Sequence, residues 1–138
     1  MVEKFNNIFY LIVFIVHFAG LAFYAFRCLA GTKAFVDQYG MGDGSAILTR
    51  VFGSFIVGSV LMAIYIGFVR ANGLENTWAF FNLIFLQNAF AFIFAIWSHK
   101  KGNLGSYEKT SIEGIIAPGV LTLLSAILCY GLADKIYI

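Results

Sequence analysis

Charge is scarce in this chain. Charged residues make up 12% of the sequence and hydrophobic residues 61%, against about 25% and about 45–50% in soluble domains. So few polar side chains cannot cover a water-facing surface on a polypeptide of this length. The sequence is also short of the material for several kinds of site. It has two cysteines, Cys28 near one membrane face and Cys129 past the middle towards the other. At helical rise they differ by roughly 20 Å in depth, which excludes a disulfide between them; both read as small buried hydrophobes. No Cys, His, Asp or Glu cluster has the spacing of a zinc site, so no metal is expected. No soluble domain is left over, and no nucleic-acid partner is expected.

What the chain does have is long apolar runs, over residues 8–29, 47–69, 78–97 and 112–133. Each is about the 20 residues a helix needs to cross a hydrocarbon core of roughly 30 Å. None alternates as a barrel strand would, and only helices satisfy their own backbone in lipid. The expected fold is an all-α, integral membrane four-helix bundle, a single transmembrane domain over 1–138. The first run is longer than the apolar core of a signal peptide, about 7–15 residues, and reads as an uncleaved helix. An even number of spans puts both termini on one side. Arg27, Lys33, Arg50, Lys100, Lys101 and Lys109 flank the odd-numbered connections, against Lys4, Arg70 and Lys135 elsewhere. That excess places the odd connections in the cytoplasm and both termini outside.

The first connection has internal order. "TKAFVDQY" suits a short interfacial helix with Thr32 as N-cap and Gly40 just past its end, its Phe35, Val36 and Tyr39 resting on the membrane. "GMGDGS" then breaks the chain, and Asp43 or Ser45 is free to cap the second helix. A phosphate cradle would need a Lys followed by Ser or Thr after the last glycine, or a preceding strand. The sequence has neither, so the glycines mark a turn. "RANGLENT" is short enough to make helices two and three an antiparallel hairpin, with Gly73 ending one and Asn76 or Thr77 starting the next. Thr110 and Glu113 have capping-box spacing. Pro118, the single proline, frees a carbonyl inside helix four and predicts a kink.

Several polar residues share one depth. His17, Gln87, Asn88, Ser59 and Ser125 all fall near the middles of their helices. A histidine within a span is a functional suspect whose partner should be named; the partner expected is Asn88 or Gln87. The competing reading is that these groups only hold helices together, at about 0.6 kcal/mol each. His99 lies roughly 16 Å from the middle of helix three, so one haem held by both histidines within a monomer is not expected. No cofactor is predicted, although a haem, pigment or quinone at the His17 layer stays open. Arg50, at the start of helix two, either snorkels to the headgroups or pairs with Glu113. Ser54 and Gly58, and likewise Ser59, Ala63 and Gly67, form small-residue rows that let helices approach. Trp78 and Trp97 stand at the ends of helix three as interface anchors.

The segment "FVDQYG" after helix one, followed by "TRVFGSFIVGSVL" opening helix two, resembles the short four-helix bacterial membrane proteins grouped around DoxX. That resemblance covers the topology and about thirty residues of motif, and implies a bacterial plasma (inner) membrane location. It implies no catalytic residues, and it does not account for His17. The first functional reading is a non-enzymatic accessory subunit of a membrane complex or a self-associating bundle, with lipid and a membrane protein or a second copy as partners. The alternatives are a binding module for an apolar ligand at the polar layer, or a small transporter using Arg50, His17 and the kinked helix. No nucleophile–base constellation argues for an enzyme.

Overall fold

The computed structural model describes residues 2–101 and 112–138. Among them all regular structure is helical. A short turn of helix, Val2–Phe5, leads into α1, Ile8–Leu29. Asn7 sits in extended backbone, and its side-chain oxygen accepts from the amides of Phe9 at 2.9 Å and Tyr10 at 3.2 Å. Two orphan donors of the first turn are thereby satisfied. The short helix α2, Thr32–Gln38, follows. Gly40 (φ +63°) ends it, with its amide on the Asp37 carbonyl and the Met41 amide on the Val36 carbonyl. That pair of reversed bonds needs a left-handed residue, which favours glycine.

A 3-10 turn at Asp43–Ser45 opens α3, Ala46–Ile64, which runs on into a five-residue π-helical tail, Tyr65–Val69. α4 is Trp78–Lys101, α5 is Glu113–Gly131 and the short α6 is Ala133–Ile136. Four segments are long and apolar enough to cross a membrane: Ile8–Leu29, Asp43–Val69, Trp78–Lys100 and Glu113–Gly131. The chain is thus a multi-pass, all-helical membrane protein. The third helix outruns the expected 78–97 by about a turn, and the fourth stops short of 133 because Leu132 breaks it before α6.

Helix α1 lies between two neighbours. Its Leu11, Phe14, Phe18, Leu21, Ala25 and Cys28 are buried at alternating steps of three and four, the spacing of a packed helical seam. It packs against both α3 and α5, while α4 packs against α5. Small residues set the distances. A Cβ on Gly53 of α3 would stand 2.8 Å from the Cβ of Cys28, and one on Gly119 of α5 would stand 2.9 Å from the Phe92 ring of α4. The hairpin expected of helices two and three is not an interface: α3 and α4 share the middle loop yet at most graze each other. A short loop ties only their ends, and their close-packing faces turn to α1 and α5 instead.

Three further expectations change. Ser54 and Gly58 do not form a close-packed row, since a Cβ on Gly58 meets nothing within 4 Å; the approach is made by Gly53. Thr32 is the first residue of α2 rather than its cap, and its hydroxyl donates back to the carbonyls of Cys28 and Leu29. Ser45 likewise donates to the Gly42 carbonyl, and Asp43 pairs with Lys33 at 3.1 Å, so neither caps α3 by its side chain. The expected cap at Thr110 lies outside the described residues.

Candidate functional site in the groove between α3 and α4

Because α3 and α4 stand apart, a groove of about 510 Å3 opens between them. Phe52, Phe55, Ile56 and Ser59 of α3 form one wall, and Ile84, Gln87, Asn88 and Ala91 of α4 the other. The α5 residues Gly114, Ala117, Pro118 and Leu121 line its back with Leu21 and Tyr24 of α1. Phe35 of α2, with Tyr39 and Met41 after it, covers one end. Apolar side chains dominate, and the polar ones gather at two levels.

The shallow level is organised around Glu113. Its carboxylate accepts from the Tyr24 hydroxyl at 2.6 Å and the Gln38 amide at 2.8 Å, and forms an ion pair with Arg27. Arg27 also donates to the Gln38 side-chain oxygen. Its guanidinium lies 5.1–5.5 Å from the ring centres of Phe23, Tyr24 and Phe35, within cation–π range. One cluster thereby binds α1, α2 and α5 together. Burial, reinforced by the nearby Glu113 carboxylate, pushes the Tyr39 phenol above the ordinary tyrosine value. Tyr39 therefore faces the groove as a neutral hydroxyl. The pairing of Arg50 with Glu113 does not form. Arg50 is exposed and donates from Nε to the Thr32 hydroxyl at 3.2 Å, because α3 carries it to the α2 junction while α1 brings Arg27 to the carboxylate.

The deep level holds His17 and Asn88. The His17 ring is wholly buried, and its Nε2 lies 3.0 Å from the Asn88 amide nitrogen. With the amide donating, Nε2 accepts and the ring proton sits on Nδ1. The Leu121 carbonyl lies near the ring, but Nδ1 has no partner in hydrogen-bond geometry. His17 does not line the groove, whereas Asn88 and Gln87 do. Use of the His17 Nε2 as an axial ligand for a haem or pigment would require that nitrogen to leave Asn88. Ser125 is buried and turns its hydroxyl to the Leu121 and Thr122 carbonyls of its own helix. Ser59 faces the groove and donates to the Phe55 carbonyl at 3.2 Å.

No family model, curated protein or solved structure matches this chain. Function must therefore be read from the geometry. Among the described residues no three His, Cys, Asp or Glu side chains converge as a metal site. The sequence did not single out Tyr24 or Gln38, and it offered Tyr39 only as an interfacial residue and not as part of a site. Arg27 was legible only as a helix-end cation; its choice of Glu113 over open water depends on α2 folding back across the groove.

Proposed function

We propose that this membrane protein takes a small lipid-soluble molecule into the groove between α3 and α4. The supporting observation is the parting of those two helices, which leaves a cavity of about 510 Å3. Small-molecule sites span about 300–1,000 Å3 and combine apolar walls with a few placed polar groups. A ligand dissolved in the bilayer would enter sideways between the helices without passing through water. In this reading α2 lies along the interface above the shallow end, and the Lys and Arg distribution puts that end in the cytoplasm. Ile47, Leu48 and Phe55 are exposed on α3, as lipid requires of a spanning helix, and they favour no protein partner over lipid.

Purification in mild detergent, followed by native mass spectrometry and solvent extraction, tests this reading. Wild type is expected to carry a bound species of a few hundred daltons. Ala117→Phe, which fills the groove from α5, is expected to lose it. Equal loads in the two proteins would remove the groove from ligand binding.

A further inference from the structure

The deep end of the groove has polar groups that the fold leaves unused. Gln87 is exposed on the α4 wall, and among the described residues its carboxamide has no hydrogen-bond partner. It stands near the middle of a span that runs from Trp78 to Lys100. An amide unpaired in hydrocarbon costs several kcal/mol. Beside it, Asn88 spends one N–H on His17, and its oxygen takes no hydrogen bond among the described residues. Across the groove, the Ser59 hydroxyl proton goes to Phe55 and leaves its lone pairs free.

We infer that this deep end recognises an uncharged oxygen, a ketone carbonyl or a hydroxyl, on an otherwise apolar ligand. The inference rests on the groove being a ligand site and specifies what the ligand carries. An ordinary acyl chain reaching this depth would set a methyl group against Gln87 and leave the amide unpaired. An ionised group has no counter-charge here. The carboxylate of Glu113 and the guanidinium of Arg27 are engaged with each other at the shallow level, and along α5 Glu113 is about 12 Å from Leu121 at helical rise. A neutral oxygen fits what is present. The Gln87 N–H groups donate to a carbonyl, and a hydroxyl can in addition donate to Ser59. His17 is a positioning residue in this scheme: wholly buried, it holds the Asn88 amide in place from behind.

The test uses three probes of one shape with the full-length protein in phosphatidylcholine nanodiscs. Para-octylbenzophenone carries a ketone and labels its site on illumination. Para-octylbenzhydrol carries a hydroxyl, and para-octyldiphenylmethane carries no oxygen. The last two, and unlabelled ketone, compete against photolabelling. In wild type the hydrocarbon is expected to compete roughly 3- to 20-fold more weakly than the oxygen-bearing probes, the worth of one hydrogen bond inside a membrane protein. Gln87→Leu should bring ketone and hydrocarbon to parity, and Ser59→Ala should weaken the alcohol alone. Parity already in wild type would overturn this inference and leave the groove reading standing; that comparison needs no variant to fold. Absence of labelling and of competition at the groove by all three probes would overturn both.

Discussion

The close approach of α3 to the α1 backbone supplies a test of how the fold is held together. Gly53 faces Cys28, and an added methyl would lie 2.8 Å from the Cys28 Cβ and 3.0 Å from the Leu29 Cγ. Carbon atoms pack at about 3.5–4.0 Å, so the shortfall is close to 1 Å. The Cβ of Cys28 is fixed by the α1 backbone and cannot swing aside. Gly53→Ala must therefore push α3 off α1, an overpacking that costs about 1–3 kcal/mol. Gly58→Ala, five residues further along the same helix, is the control: it enters open space and should gain about 0.5–1 kcal/mol from reduced backbone freedom. Both variants share that gain, so their difference isolates the steric term. Thermal and detergent-denaturant unfolding followed by circular dichroism should separate them by several degrees. Cys28→Ala should not rescue Gly53→Ala, because it keeps the obstructing carbon, whereas Cys28→Gly should rescue it in part, with the Leu29 side chain still 3.0–3.1 Å away. Equal stability of the two glycine variants would refute the close approach of α1 and α3.

Glu113→Gln should leave Arg27 without its counter-charge and cost about 1–2 kcal/mol at this partly exposed site; faster tryptic cleavage at Lys33 would report release of α2. Gly40→Ala forces a Cβ into φ +63° and should cost about 1–2 kcal/mol, read by the same melts. Asn7→Ala removes the cap of α1 and should cost about 1 kcal/mol. The raised Tyr39 phenol keeps its proton when the unfolded chain has lost it. Stability should accordingly be full below the ordinary tyrosine value of about 10 and fall as pH rises past it towards the folded value. Tyr39→Phe should flatten that alkaline fall in melting temperature, and an unchanged profile would refute the assignment.

The spans were legible because lipid permits few alternatives: a long apolar run must satisfy its own backbone. Counting depth along two helices of the same direction also brings His17 level with Asn88, as rise per residue is nearly constant. Lateral relations were not legible in that way. Arg27 and Arg50 both sit at helix ends of one membrane face, and only the rotation of α1 and α3 decides which meets Glu113. The groove was hidden for a similar reason, since a short loop looks like a hairpin whether or not its helices touch. Thr32 and Ser45 show the limit of cap rules. A hydroxyl at a helix start can accept from an amide ahead or donate to a carbonyl behind, and here tight turns put carbonyls within reach.

The enclosure of His17 bears on how the protein is made. The helix bearing this imidazole leaves the ribosome well before α4, which carries its partner Asn88. Until α4 arrives, the nascent chain holds a bare imidazole against lipid or the insertion machinery. Insertion of α4 is thus what relieves α1, and a truncated product ending before α4 would keep that penalty for as long as it persisted.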